Sequence, residues 1–334
     1  MNVTTMLPSR ENRRYIVVGG SGLVGNWTIS HLVARGEDSV AIRALDLQPP
    51  RHELLERGVD FVKTNIVDEA TAFLPLSRSL NVSGTCNVLN AARKAGVTCF
   101  ISTSSGSVCV RRPSIWIAPW TKTPRHYVQL LSDATEPPEK YDHFFGTYPD
   151  LRRPNTSWLP HVIQNFVNAE NVSIAHLLYE QPLIEHTKGP NSLPNIGGDS
   201  FIITDPKSAI SFGDLYLAMT TLAITPIRFP YIPPVPMLIV SHFVEWYVLL
   251  QHFYTPWIPK VAGDIARLRP AVLSISNPHL IIDDSRARKS PKEVGLGYDP
   301  PLTSLDGVCT ELAHWNRLAA EKGAAAMMGK ARPY

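Results

Sequence analysis

An excess of charge of either sign is the first thing this 334-residue chain does not have. Its 32 lysines and arginines against 29 aspartates and glutamates leave a formal net charge of +3. That is too little to draw it onto nucleic acid by bulk electrostatics, and no nucleic-acid partner is expected. Cysteine is scarce as well. Cys86, Cys99, Cys109 and Cys309 contain no C-x-x-C pair, so reduced thiols in an intracellular chain are expected. Met1 to Arg14 lacks an apolar core, so no secretory signal is expected, and the sequons at Asn81 and Asn171 are read as chance. His161, His176 and His186 have no metal-ligand companions at fixed spacing, and no metal site is expected. A G-x-S-x-G elbow is missing, which removes support for a hydrolase. Proline runs the other way. Its 29 residues break the second half into short elements and irregular connections. The 44% apolar fraction still provides for a sizeable core.

The opening segment reads strand, glycine turn, helix, strand. Tyr15-Ile16-Val17-Val18 is a short apolar run of the kind buried on both faces of a parallel sheet. Gly19-x-x-Gly22-x-x-Gly25 follows at once, and a helical pattern through Trp27, Ile29, Leu32 and Val33 stops at Gly36. Ser39 to Leu45 predicts a second strand ending at Asp46, and Val59 to Val62 a third. Val82 to Ala95 predicts a helix and Thr98 to Thr103 another strand. Such alternation predicts an α/β fold with a Rossmann-type, doubly wound parallel sheet. Farther on, His161–Val167 and Ser173–Glu185 read as helices and Phe201–Thr204 as a strand.

Glycines between a buried strand and a helix start let the backbone turn sharply and approach a pyrophosphate, which the helix N-terminus attracts. Gly19, Ser21, Gly22, Leu23, Val24 and Gly25 are therefore candidate cofactor-binding residues. Asp46, twenty-seven residues past Gly19, is placed to accept hydrogen bonds from the adenosine ribose. A carboxylate there repels a 2′-phosphate, which favours NAD over NADP, while Arg43 and Arg51 keep NADP open.

The residues Gly19–Gly25, Asp46, Asn65-x-x-Asp68, Asn81-Val82-x-Gly84-Thr85 and Thr103-Ser104-Ser105-x-x-Val108 resemble those of extended short-chain dehydrogenases/reductases. Within that group they look like the 3β-hydroxysteroid dehydrogenase/isomerase family, which includes sterol-4α-carboxylate 3-dehydrogenases. Asn171-Val172-x-x-Ala175-His176, Phe201–Asp205 and the apolar stretch after Pro230 extend the resemblance over most of residues 14–315. It implies an NAD(P)-dependent oxidoreductase acting on a hydroxyl or keto group of a sterol, terpenoid or other apolar ring substrate. It also adds Asn65 and Ile66 to the cofactor site, with asparagine standing where the family has an adenine-contacting aspartate.

The same resemblance implies a serine, a tyrosine and a lysine four residues after the tyrosine. Ser105 matches the serine. No Y-x-x-x-K occurs in the chain, and the nearest pattern is Tyr148-Pro149-Asp150-Leu151-Arg152. A phenol near pKa ~10 needs a neighbouring cation to act as a base at neutral pH, and positions i and i+4 share a helix face. Arg152 can lower that pKa, but it relays a proton poorly. Glu69–Leu80 is too short for the helix and strand that the family has there, and the elements after Tyr148 also look shortened. Two alternatives therefore stand: a shortened but active dehydrogenase, or a catalytically impaired or non-redox member acting as a cofactor-binding scaffold or isomerase.

The expected division is a cofactor-binding domain over 14–150 and a mainly helical substrate region over 151–334. Residues 237–255 predict one amphipathic helix, with His242, Glu245 and His252 along a stripe, either half-buried or lying in a membrane interface. A cytoplasmic location, with attachment to the endoplasmic reticulum membrane as an extension, and a homodimer are expectations of the same kind.

Overall fold

The computed structural model describes residues 13–67, 79–104, 128–131, 157, 159–189, 193–207, 209–253 and 279–322, with isolated positions between 259 and 273. The chain forms two compact units interleaved in sequence. Residues 1–105, 167–206 and 283–302 make up the first, and 106–166, 207–282 and 303–334 the second. The expected boundary at residue 150 falls outside the described residues.

In the first unit, β1 (Tyr15–Val18), β2 (Ile42–Asp46) and β3 (Asp60–Lys63) form a parallel sheet in the order β1-β2-β3. The register pairs Val17 with Ala44 and Ala44 with Phe61. Between the strands lie α1 (Leu23–Ala34) and the short α2 (His52–Glu56). The 3₁₀ turn Ser39–Ala41, capped by Asp38, replaces the first residues of the second expected strand. Parallel ladders need a crossover between strands, and α1 supplies it. One sheet face is packed. Ile42 and Ala44 meet Ile29 and Leu32 of α1, with Leu54, Val59 and Leu177 closing the cluster. Each large side chain there contributes roughly 1.5–3 kcal/mol through burial. Leu177 comes from α4 (Ala169–Thr187), which lies against α1 and is started by the Asn168 side chain accepting from the Glu170 amide.

The opposite sheet face corrects an expectation. Ile16 is 58% exposed, and Val18 and Val62 are exposed beside it, so β1 is buried on one face only. The helix α3 (Thr85–Lys94), entered through a π-helical turn over Ser79–Gly84, buries none of its residues. Thr98–Thr103 forms no strand either. In the doubly wound order a fourth strand lies beside β1, and the next one pairs with it. Among the described residues nothing pairs with β1 on that side, so 98–103 has no ladder to join.

The second unit holds a sheet of β4 (Val128–Leu131), β5 (Ile163–Asn165), β6 (Ala209–Ser211) and β7 (His279–Ile282) in the order β4-β7-β5-β6. Only the β5–β6 pair is antiparallel. The helix expected over His161–Val167 is this β5 strand. A short apolar run carries no decisive period, and tertiary partners settle it. The Ile163 amide donates to His279 Nδ1 at 3.0 Å, and the Ile282 amide to Asn165 Oδ1 at 2.8 Å. Helix α5 (Phe212–Leu222) starts from a Ser211/Asp214 capping box, and α6 spans Pro234–Phe253. After the short α7 (Ser285–Arg288) of the first unit comes α8 (Ser304–Lys322). Leu215 and Met219 of α5 pack on Val308 and Leu312 of α8, where the buried Trp315 Nε1 donates to Thr225 Oγ1 at 2.9 Å.

Phe201–Thr204 is the other misplaced strand. Side chains anchor this segment instead of a ladder. The Phe201 ring meets Tyr179 edge-on at 5.2 Å, and the Thr204 hydroxyl donates to Asp284 Oδ2 at 2.8 Å. Asp205 is buried and accepts from the Asn168 amide at 2.8 Å and from Asn171 Nδ2 at 2.6 Å. At α7, which begins in the next stretch of the first unit at Ser285 and ends at Arg288, Arg288 Nη2 pairs back with Asp284 Oδ2 at 2.7 Å.

A candidate dinucleotide site at the first glycine turn

The chain leaves β1 at Gly19, whose φ of +75° lies in the left-handed region that glycine enters without a Cβ clash. The Gly19 amide donates to the Leu45 carbonyl at 2.9 Å, tying the turn to the end of β2. Gly22 caps α1 with no side-chain hydrogen bond. Asn26 closes the first helical bond on the Gly22 carbonyl at 2.9 Å, so the amides of Leu23, Val24 and Gly25 lie ahead of the helix ladder. Gly25 is needed for a different reason. A Cβ there would stand 2.1 Å from the Gly19 carbonyl oxygen and 2.7 Å from Gly20 Cα, so only glycine lets the helix start nest in the turn.

Asp46 borders this cradle. Its Oδ2 accepts from the Ser21 amide at 3.0 Å and its Oδ1 from the Leu47 amide at 2.6 Å. A carboxylate has about four acceptor positions, so two remain for other donors. The Ser21 hydroxyl donates to the Gln48 carbonyl. Asn65 Oδ1 accepts from the Val67 amide at 3.1 Å, and Asn87 Nδ2 holds the Ile66 carbonyl at 2.9 Å. The cradle, the helix amides and the carboxylate therefore suit a dinucleotide with a diphosphate and a free ribose diol.

Asn26 is a site residue that motif matching missed. Only 6% exposed, it donates from Nδ2 to the Ser21 carbonyl at 2.6 Å and the Gly22 carbonyl at 3.0 Å, and its Oδ1 accepts from the Arg51 amide at 3.0 Å. One side chain thus fastens the glycine turn to the loop after β2. The signal in the sequence is an amide residue on an otherwise apolar helix face, one step past the third glycine.

His176 is a packed helix residue, as its spacing suggested, with one polar task. Its Nδ1 faces the Val172 carbonyl at 2.8 Å, which can only accept, so Nδ1 carries the proton. Nε2 then accepts from the Thr103 hydroxyl at 2.9 Å. Burial holds the His176 pKa below the ordinary imidazole value, against the opposing pull of the Val172 carbonyl. The native state therefore prefers the neutral ring. The stability this contributes is present above about pH 6.5, the ordinary imidazole value, and is lost as acidification forces a proton onto the ring. Thermal unfolding followed from pH 7.5 to 5 is expected to show a fall in Tm that is shallower in His176→Gln.

Ser105, Tyr148 and Arg152 lie outside the described residues, as does Asp68. The described chain reaches Ser104 on one side of that gap. Among the described residues no cluster of three or more histidine, cysteine or acidic side chains is placed to hold a metal ion.

No protein-family model matches the chain, and no curated protein matches it either. Solved structures do. The UDP-glucose 4-epimerase of Stenotrophomonas maltophila, with bound NAD and formylated UDP-arabinopyranose, matches at 15% identity and a TM-score of 0.53, over 93% of this chain and 100% of its own. The UDP-glucose 4-epimerase of Brucella ovis in complex with NAD matches at 16% identity and a TM-score of 0.53, over 91% and 98%. WbmH of Bordetella bronchiseptica in complex with NAD+ matches at 12% identity and a TM-score of 0.50, over 91% and 98%. The chain has the Rossmann-type fold of these proteins, with a parallel sheet of three described strands in its first unit.

Proposed function

We propose that the chain is an NAD-dependent oxidoreductase of the short-chain dehydrogenase kind, acting on a hydroxyl or keto group of an apolar ring substrate. The observation that carries this reading is the turn in which Gly25 nests against Gly19 with Asp46 at its rim. The amides of Leu23, Val24 and Gly25 would hold the diphosphate, Asp46 the ribose hydroxyls, and Asn65 and Ile66 the adenine. NAD, when bound, supplies a hydride acceptor. The NAD complexes of the two UDP-glucose 4-epimerases and of WbmH, which share the fold, support the same assignment.

The substrate-side chemistry is proposed for Ser105, Tyr148 and Arg152, with the resemblance to 3β-hydroxysteroid dehydrogenases as its support. Ser105 orients the substrate oxygen by a hydrogen bond. Arg152 stabilises the Tyr148 phenolate, which takes the hydroxyl proton and becomes the neutral phenol. Purified protein is expected to bind NAD by calorimetry and to produce NADH from a panel of ring alcohols. Tyr148→Phe is expected to keep NAD binding and lose turnover by 10²-fold or more. NAD binding without turnover on any ring alcohol or ketone, under either cofactor, would favour the non-redox scaffold.

Helix α6 supports contact with a membrane surface, where apolar ring compounds dissolve. Among the described residues no helix is long and apolar enough to cross a membrane. Yet Val235, Ile239, Phe243, Trp246 and Leu249 follow one stripe at helical spacing and are all exposed, Phe243 by 66% and Trp246 by 60%. Glu245, on the predicted polar stripe, is only partly exposed. The outward side of the helix is therefore mostly apolar, with the exposed His242 among these residues, a geometry suited to lying in a lipid interface. Flotation with neutral phosphatidylcholine vesicles is expected to recover the protein, and Phe243→Glu/Trp246→Glu to leave it at the bottom of the gradient.

A further inference from the structure

Two arginines stand close in sequence to the carboxylate that would read the ribose, and the structure accounts for both. Arg43 lies on β2 facing β3, with its Nε 2.5 Å from Asp60 Oδ2. Arg51 is treated differently. Its amide is fixed on Asn26 Oδ1, and its guanidinium carbon stands 5.3 Å from the centre of the Trp27 ring. Among the described residues it pairs with no carboxylate, neither Asp46 at the rim nor Glu53 and Glu56 of α2. An arginine over an indole face is held by the ring quadrupole and by stacking.

We propose that Trp27 is a specificity-determining residue that keeps Arg51 stacked on α1 and so denies the site a cation for a 2′-phosphate. The proposal rests on the dinucleotide reading of the glycine turn. Asp46 excludes the phosphate by repulsion, and Trp27 withholds the neutralising charge that would offset it. Lys63 also bears on the rim, because it stands opposite Asp46 in the β2–β3 register, but it makes no ion pair with that carboxylate. Its contribution must be separated from that of Arg51.

Calorimetric titration of the full chain with NAD+ and NADP+ tests this. Wild-type protein is expected to prefer NAD+. Trp27→Leu, which keeps an apolar side chain without the π face, and Trp27→Ala are each expected to raise NADP+ affinity by about tenfold, the scale of one charge-assisted hydrogen bond. NAD+ affinity should stay within twofold. Arg51→Ala alone should move neither constant, because the side chain is already withheld. Trp27→Leu/Arg51→Ala should lose the whole gain, whereas Trp27→Leu/Lys63→Ala should keep it. An unchanged NADP+ to NAD+ ratio in a folded Trp27 variant overturns the proposal, and so does a gain that survives removal of Arg51. Absence of binding of either dinucleotide to wild-type protein would instead remove the reading on which the proposal stands.

Discussion

Gly25→Ala is expected to abolish NAD binding while leaving the protein folded. The added methyl carbon meets the Gly19 carbonyl oxygen at 2.1 Å and the Gly20 backbone at 2.7 Å, and neither is a side chain that can rotate away. Relief requires the helix start to move off the turn, which carries the Leu23 and Val24 amides away from Asp46. Backbone displacement of this kind costs about 1–3 kcal/mol, and loss of the aligned donors adds to it, so a drop of 10²-fold or more in affinity is expected. Calorimetry with NAD+ measures the loss, and far-UV circular dichroism checks the fold. Retained micromolar binding in a folded Gly25→Ala protein would mean that the diphosphate lies elsewhere.

The second large effect is structural. Arg35, at the C-terminal end of α1, is almost wholly buried between two acids. Its Nη1 donates to Glu180 Oε2 at 2.7 Å and its Nη2 to the Tyr15 hydroxyl at 2.8 Å. Glu37 Oε1 lies 3.0 Å from Nη2 without hydrogen-bonding geometry, and among the described residues Arg35 Nε has no partner. Burial and the Glu180 charge push the Tyr15 phenol well above its ordinary pKa, so it stays a neutral acceptor. The Cys99 thiol is pushed up to about 11 for the same two reasons and stays unreactive. Arg35→Ala leaves Glu180 and Glu37 buried together, and among the described residues only Arg13, at 3.8 Å from Glu180, is left to compensate. Urea unfolding is expected to show a loss of about 3–5 kcal/mol, the usual cost of breaking a buried pair from one side. Arg35→Met/Glu37→Gln/Glu180→Leu, which removes all three charges, is expected to recover most of it. If Arg35→Ala costs less than 1 kcal/mol, water reaches the cluster freely.

What the sequence revealed of this site was its local part. The strand, glycine turn, helix and acidic strand end follow within thirty-two residues, and each depends on backbone rules that neighbours in sequence enforce. The turn itself, Asp46 and the stop at Gly36 were legible for that reason. The elements that failed depend on distant partners. Thr98–Thr103 and Phe201–Thr204 have strand composition but no neighbouring ladder, so the first stays irregular and the second is held by Tyr179, Asp284 and Asn168. His161–Val167 has helical spacing, yet His279 and the Ile282 amide fix it as a strand from more than a hundred residues away. Asn26 and Trp27 were hidden because their roles come from facing the loop after β2. The outward side of α6 carries His242 among exposed apolar residues, a mixture that the spacing alone does not reveal.

The packed side of the sheet in the first unit is completed by Leu177, and Asn171 donates to the Leu302 carbonyl at 2.6 Å. Vectorial synthesis therefore delivers the strands and glycine turn long before the residues that shelter them. A nascent chain must hold Ile29, Leu32, Ile42 and Ala44 without Leu177 until more than a hundred further residues have been made, and throughout that interval their face is open to whatever chaperone or sister chain is nearest.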